Sequence, residues 1–270
     1  MLVYSLVEVL TPRSLREALE LKAERPEARF IQGGTDVMVE LNFGHSRPEA
    51  MINLAELDEL RGWSEENGSL RLGAGLTYTE AMTAPLAERL PALAEASRTV
   101  GSPQIRNRGT IGGNLGTASP AGDALPPLLV ERAEVELASV HGVRSLPLEE
   151  FLVGVKRTAL APDELITAVR LTPSGGAQTF MKIGPRNAMV IAVCSLALVV
   201  DADAGEARAA FGSAAVTARL VTLPLGEAAG LPGSVAEAAS PIDDVRGSAG
   251  YRRHALRILT SRALERCLVT

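Results

Sequence analysis

Cysteine, metal-ligand spacing, positive charge and long apolar runs are all scarce in this chain, and each scarcity closes a class of function. Only Cys194 and Cys267 are present, too few for the disulfide framework of a secreted protein. Together with three scattered histidines, His45, His141 and His254, they offer no CxxC or HxxxH spacing. No metal ion and no iron–sulfur cluster is therefore expected on this chain. The formal net charge is −5, and Lys and Arg are scattered rather than striped, so nucleic acid is an unsuitable partner. The longest nearly unbroken apolar run, Met189 to Val200, is too short to cross a bilayer and reads as a buried strand. Met1-Leu2-Val3-Tyr4-Ser5 lacks the basic start and long apolar core of a secretory signal. A reduced, cytoplasmic setting is expected. The nucleotide signatures G-x-G-x-x-G and G-x-x-x-x-G-K-[ST] are missing, as is G-x-S-x-G, so Rossmann, P-loop and serine-hydrolase readings have no footing.

What the chain does have is length and apolar content, 270 residues at 46% hydrophobic, enough for one large domain or two unequal ones. Apolar spacing predicts a helix from Thr11-Pro12 to Leu21, with Pro12 in its first turn. A short strand at Ala28–Ile31 runs into Gly33-Gly34-Thr35-Asp36 and a weakly helical stretch, Val37 to Leu41. Two strands flank Glu66-Asn67-Gly68, a hairpin signal. Thr77-Tyr78-Thr79-Glu80 reads as a capping box opening a helix that Pro85 ends or kinks, and Leu86 to Val100 reads as one amphipathic helix. Gly101 to Asp123, dense in Gly, Ser, Thr, Pro and Asn, reads as a long functional loop.

Further on, a helix at Ala124–Val130 precedes strands at Ala133–Val140, Val143–Leu146 and Leu165–Leu171. Thr172-Pro173-Ser174-Gly175-Gly176 is the linker candidate. Strands at Thr179–Ile183, Ile191–Val200 and Arg208–Gly212 and a helix from Ala249 to about Leu268 complete an α+β chain.

Two loops stand out chemically: Gln32-Gly33-Gly34-Thr35-Asp36 and Thr110-Ile111-Gly112-Gly113-Asn114. Paired glycines let backbone approach a ligand without an intervening Cβ, and successive N–H groups in such turns cradle an anion such as pyrophosphate. Thr35, Thr110 and Asn114 add side-chain donors. Asp123 could accept from ribose or adenine, or cap the helix after it. Arg106 and Arg108 flank the second loop and suit either a phosphate or a loop-fixing ion pair.

Phe30–Asp36, Gln104-Ile105-Arg106-Asn107-Arg108-Gly109-Thr110-Ile111-Gly112-Gly113-Asn114-Leu115 and Ser119-Pro120-Ala121-Gly122-Asp123 together resemble the FAD-binding medium subunit of molybdenum hydroxylases, the family of carbon monoxide and xanthine dehydrogenases. Lys182 to Ser195 and Asp244 to Arg252 resemble its later segments. The resemblance implies a vanillyl-alcohol-oxidase-like FAD-binding unit at 1–175, with subdomains of about 1–58 and 59–175. A domain at 176–270 with a three-stranded antiparallel sheet and helices would follow.

By the same resemblance, Ile31, Gln32, Gly33, Gly34, Thr35 and Asp36 would hold an extended FAD opposite Thr110, Ile111, Gly112, Gly113 and Asn114. Asp123 would contact the adenosine half, Leu165 or Ile166 would lie beside the cofactor, and Lys182 would approach the isoalloxazine, with Val100 completing the set. Ile191 would pack near the flavin or serve as strand core, and Val190 stands where relatives often carry an acid. No catalytic side chain is implied. The implied partners are a molybdopterin large subunit, a small subunit with [2Fe-2S] clusters and an external acceptor, in a dimer of heterotrimers. The alternatives are a stand-alone flavin oxidase or reductase and a cofactor-free scaffold.

Overall fold

The computed structural model describes residues 7–268; the Met1–Ser5 stretch, which lacks the features of a secretory signal, lies outside them. The chain opens with β1 (Glu8–Leu10), α1 (Leu15–Glu24), β2 (Arg29–Ile31), α2 (Val37–Asn42) and β3 (Ala50–Asn53). The strands form a parallel sheet in the order β1-β3-β2, and parallel neighbours need crossover helices between them. Helix α1 starts later than expected, because the Ser14 side chain caps it by accepting from the Glu17 amide, leaving Pro12 outside. The buried Lys22 ammonium donates to the Pro26 and Ala28 carbonyls, both at 2.7 Å. That fixes the approach of β2, which delivers the first glycine loop.

A second layer follows: β4 (Trp63–Glu66), β5 (Ser69–Gly73), α3 (Tyr78–Ala81), α4 (Leu86–Arg89), α5 (Pro91–Thr99), α6 (Pro103–Arg106), α7 (Ile111–Thr117), α8 (Leu125–Val130), β6 (Glu134–Ser139), β7 (Gly142–Pro147), α9 (Leu148–Phe151), the hairpin β8 (Leu152–Gly154) and β9 (Arg157–Thr158), and β10 (Leu165–Leu171). Strands β4-β5-β10-β6-β7 make an antiparallel sheet. Its first hairpin turns on Asn67 and Gly68, at φ 51° and 81°, the left-handed pair such a tight turn requires.

Two expectations fail in this layer. The helix foreseen over Leu86–Val100 is broken into α4 and α5, because Pro91 has no N–H to donate to a preceding turn. The loop foreseen over Gly101–Asp123 contains two helices, α6 and α7. Ser102 and Thr110 cap them by accepting from the Ile105 and Gly113 amides, which offsets the low helix propensity of glycine.

The last third holds β11 (Ala177–Ile183), β12 (Cys194–Asp201), β13 (Glu206–Gly212), β14 (Arg219–Pro224), α10 (Leu231–Ala238) and α11 (Ala249–Leu268). The antiparallel sheet β11-β12-β13-β14 has four strands rather than the three expected. The overlooked β14 is a half-exposed edge strand ending in a proline, a weak pattern that edge positions permit. Every residue of β12 is buried. Cys194, Leu196 and Leu198 face α10 and α11, while Ala197 and Val199 face the preceding layer, so a sheet covered on both sides accounts for the continuous apolar run. Because Leu72, Leu128, Phe180 and Ala210 share one cluster, apolar burial continues across the Thr172–Gly176 linker. Among the described residues no helix is long and apolar enough to cross a membrane.

Candidate functional site

The β2–α2 loop and the start of α7 face each other across a cleft of about 430 Å³, within the roughly 300–1,000 Å³ typical of cofactor pockets. Leu54, Leu60, Leu165 and Ile166 supply its apolar lining. Gln32, Gly33, Gly34, Thr35 and Asp36 border it on one side, and Thr110, Gly112, Gly113 and Asn114 on the other.

In the first loop the amides of Gly33, Gly34, Thr35 and Asp36 have no hydrogen-bond acceptor among the described residues. Gly34 has φ +76°, which turns the backbone so that this run can point at a ligand. Gly33 serves packing instead: a Cβ there would fall 1.9 Å from the Arg108 carbonyl oxygen. The Thr117 hydroxyl donates to Asp36 Oδ2 at 2.8 Å, tying the loop to α7.

The second loop has a different character. All its amides but that of Thr110 are already bonded: Ile111 to the Leu76 carbonyl at 2.9 Å, Gly112 to Ala74 at 2.8 Å, and Asn114 to Thr110 at 3.0 Å. Gly113 donates to Thr110 Oγ1 at 3.0 Å. The amide nest anticipated there is therefore unavailable, a correction to the symmetrical picture of two cradles. A Cβ on Gly112 would stand 2.6 Å from that of Ala74, so this glycine lets α7 sit against the end of β5. Gly113 and Gly116 are exposed on the face that borders the cleft and give a wall without side chains.

A second cluster lies outside the cleft lining. Lys182 Nζ pairs with Asp123 Oδ2 at 2.6 Å, with side chains only 5% and 9% exposed. Lys182 also reaches the Thr99 carbonyl and hydroxyl at 3.3 and 3.4 Å, next to half-buried Val100. Burial pushes the Asp123 carboxyl up, while the Lys182 ammonium pulls it back. Asp123 does not cap α8, which has Ala124 at that position and no side-chain cap. Two expectations thus conflict, since residues joined in one ion pair cannot serve opposite ends of an extended FAD. Both Asp123 Oδ1 and Asn114 Oδ1 are buried without a partner among the described residues.

Other expected positions fall elsewhere. Ile31 is half-buried in β2, and the Ile111 side chain is fully buried in the core. Ile191 is 63% exposed and precedes β12, so it is neither strand nor core. Val190 turns onto Gly184, where an added Cβ would meet it at 2.2 Å. Arg106 donates to the carbonyls of Arg98, Val100 and Gly101, which fixes the loop through backbone rather than through an ion pair or a phosphate. Tyr78, Arg29, Glu40 and Lys156 also line the cleft and escaped sequence reasoning. Glu40 bridges Arg29 at 2.6 Å and Lys156 at 3.1 Å, and no local pattern marks a contact between residues so far apart.

A cleft with unpaired amides on one wall, a glycine face opposite and apolar residues at its base suits a dinucleotide. Residues 5–173 match the family described as the FAD binding domain in molybdopterin dehydrogenase. The chain belongs to this family. It is 32% identical to the xanthine dehydrogenase FAD-binding subunit of Escherichia coli O157:H7, over 93% of this chain and 92% of that one. It is 35% identical to the nicotinate dehydrogenase FAD-subunit of Eubacterium barkeri, over 73% and 69% of the two chains. A solved carbon monoxide dehydrogenase from Hydrogenophaga pseudoflava superposes with a TM-score of 0.90 at 26% identity, covering 97% of each chain. This FAD-binding chain is thus similar to flavin subunits of molybdenum-containing dehydrogenases along nearly its whole length.

Proposed function

We propose that the chain binds one FAD in the cleft and serves as the electron-transfer subunit of a molybdenum hydroxylase. It would take electrons from a small subunit carrying [2Fe-2S] clusters and pass them to an external acceptor. Bound FAD supplies the redox chemistry, accepting electrons singly and releasing them in pairs. The observation that carries this reading is the run of unpartnered amides at Gly33, Gly34, Thr35 and Asp36, which would donate to the pyrophosphate. Thr110, Gly112, Gly113 and Asn114 form the opposite wall, with Ile111 anchoring it in the core, and Leu165 and Ile166 give the cofactor an apolar surface. Lys182 supplies a cation at the isoalloxazine end, where charge on the reduced ring needs balancing. Asp123 joins it there instead of meeting the adenosine, because its carboxylate is bound to that ammonium.

The finer arrangement belongs to the same proposal. It comprises vanillyl-alcohol-oxidase-like subdomains of about 1–58 and 59–175, a flavoprotein domain at 176–270, and a molybdopterin large subunit completing a dimer of heterotrimers in the cytoplasm. The flavin subunits of xanthine, nicotinate and carbon monoxide dehydrogenases among its relatives support the assignment.

The test is an absorption spectrum of the purified chain, with acid release and identification of the flavin. One FAD per chain, without iron or molybdenum, is the expected result. A chain that stays colourless when offered FAD, both alone and co-expressed with its partner subunits, would overturn the proposal.

A further inference from the structure

Tyr78 occupies the first position of α3, where the Thr77–Glu80 capping box fixes the turn and its own amide donates to the Gly109 carbonyl at 3.1 Å. The ring passes under Gly109, where an added Cβ would stand 3.1 Å from a ring carbon. Backbone contacts thus hold the ring against the segment that leads into α7. Tyr78 is only 5% exposed and it lines the cleft. Its hydroxyl has no hydrogen-bond partner among the described residues and is not one of the fully enclosed polar atoms that lack one, so it keeps a free donor on the accessible side of the residue.

Burial, reinforced by the carboxylates of Asp123 and Asp36, raises the phenol well above its usual range. It therefore remains protonated and able to donate at any working pH. Asp36 lies in the amide loop and Asp123 in the Lys182 pair outside the cleft lining, and both act on the phenol. A donor that carries no negative charge is the group that can face a phosphate or hydroxyl oxygen between two acids.

We propose that Tyr78 is a further cofactor-binding residue, whose hydroxyl donates to an oxygen of the pyrophosphate–ribityl segment of FAD. This rests on the FAD reading above. The test compares the full-length apo chain with Tyr78→Phe, which deletes the oxygen and keeps the ring under Gly109. FAD is titrated into each by flavin fluorescence, and the thermal midpoint of each apo form is recorded. The expected result is a Kd about tenfold higher in Tyr78→Phe, with the apo midpoint unchanged. Equal FAD affinity in the two proteins overturns the role of Tyr78 and leaves the FAD reading standing. A lowered apo midpoint alongside the weaker binding assigns the hydroxyl to the fold and also overturns it. A wild-type chain that takes up no FAD removes the reading beneath the proposal.

Discussion

The two glycine loops look alike in sequence, Gly33-Gly34-Thr35-Asp36 and Gly112-Gly113-Asn114, yet they do opposite work. In the first, the backbone amides are unpartnered and border the cleft. In the second, the amides are consumed by Leu76, Ala74 and Thr110, and the glycines permit close packing on one side and a bare wall on the other. A Gly-Gly pair therefore signals close approach of backbone to something. Whether that something is a ligand or another strand is decided by where the N–H groups go.

The largest test of this difference is Gly112→Val. Its Cβ alone would sit 2.6 Å from that of Ala74 and 2.7 Å from the Ala74 carbonyl oxygen. Overpacking of that kind should cost about 3 kcal/mol or more, seen as a lower urea midpoint of the apo chain. Flavin would be lost as a consequence of damage to the fold. A Gly112→Val chain as stable as wild type would show the second loop to be free of its packing role.

Lys182→Met comes next, and it separates fold from ligand at the second cluster. Removing the ammonium strands a buried carboxylate, which should cost about 3 kcal/mol at neutral pH even without cofactor. Asp123 already has a raised pKa in the folded chain, and losing Lys182 raises it further. A carboxyl whose folded pKa exceeds its unfolded value favours the native state when protonated. The lost stability should thus return as pH falls through the folded pKa and vanish again as pH rises. Adding Asp123→Asn should restore stability at neutral pH. A flat pH profile for Lys182→Met would show that the pair carries no such weight.

Gly34→Ala acts on the first loop. At φ +76°, with Met38 and Ile31 at ordinary contact distance, alanine meets backbone strain rather than collision, about 1–2 kcal/mol. Because the strained residue sits within the free amide run, FAD affinity should fall by more than apo stability does. Titration calorimetry beside apo melting distinguishes the two, and equal losses would erase the contrast between the loops.

What was legible in the sequence was local. Asn67-Gly68, the Thr77–Glu80 box and the long α11 depend on residues within a turn or two of one another, and each stands where expected. The mixed helix-and-sheet class and the family followed from motifs strung along the chain. The partner of Gly112 is Ala74 and that of Lys182 is Asp123, contacts that exist only once the layers have stacked. Strand β14 escaped because an edge strand need not alternate strongly, and α7 escaped because its glycines concealed a helix whose cap is a single threonine hydroxyl. Tyr78 was visible only as part of a cap. Its unpartnered hydroxyl required the cleft to be assembled.

The smallest effect should come from Thr117→Val, which keeps side-chain volume and removes the hydroxyl that binds Asp36 at 2.8 Å. That bond ties the first loop to the far end of α7, the helix that the second loop begins, and it is exposed, so its net worth is about 0.5–1 kcal/mol. If the first loop owes its binding shape to the second, this energy is spent holding the amide run open, and FAD Kd should rise roughly two- to fivefold while the apo melting temperature barely moves. If the first loop holds its shape unaided, through the turn at Gly34 and the contact of Gly33 with Arg108, affinity will not change. The second loop would then be a wall that the first does not need to touch.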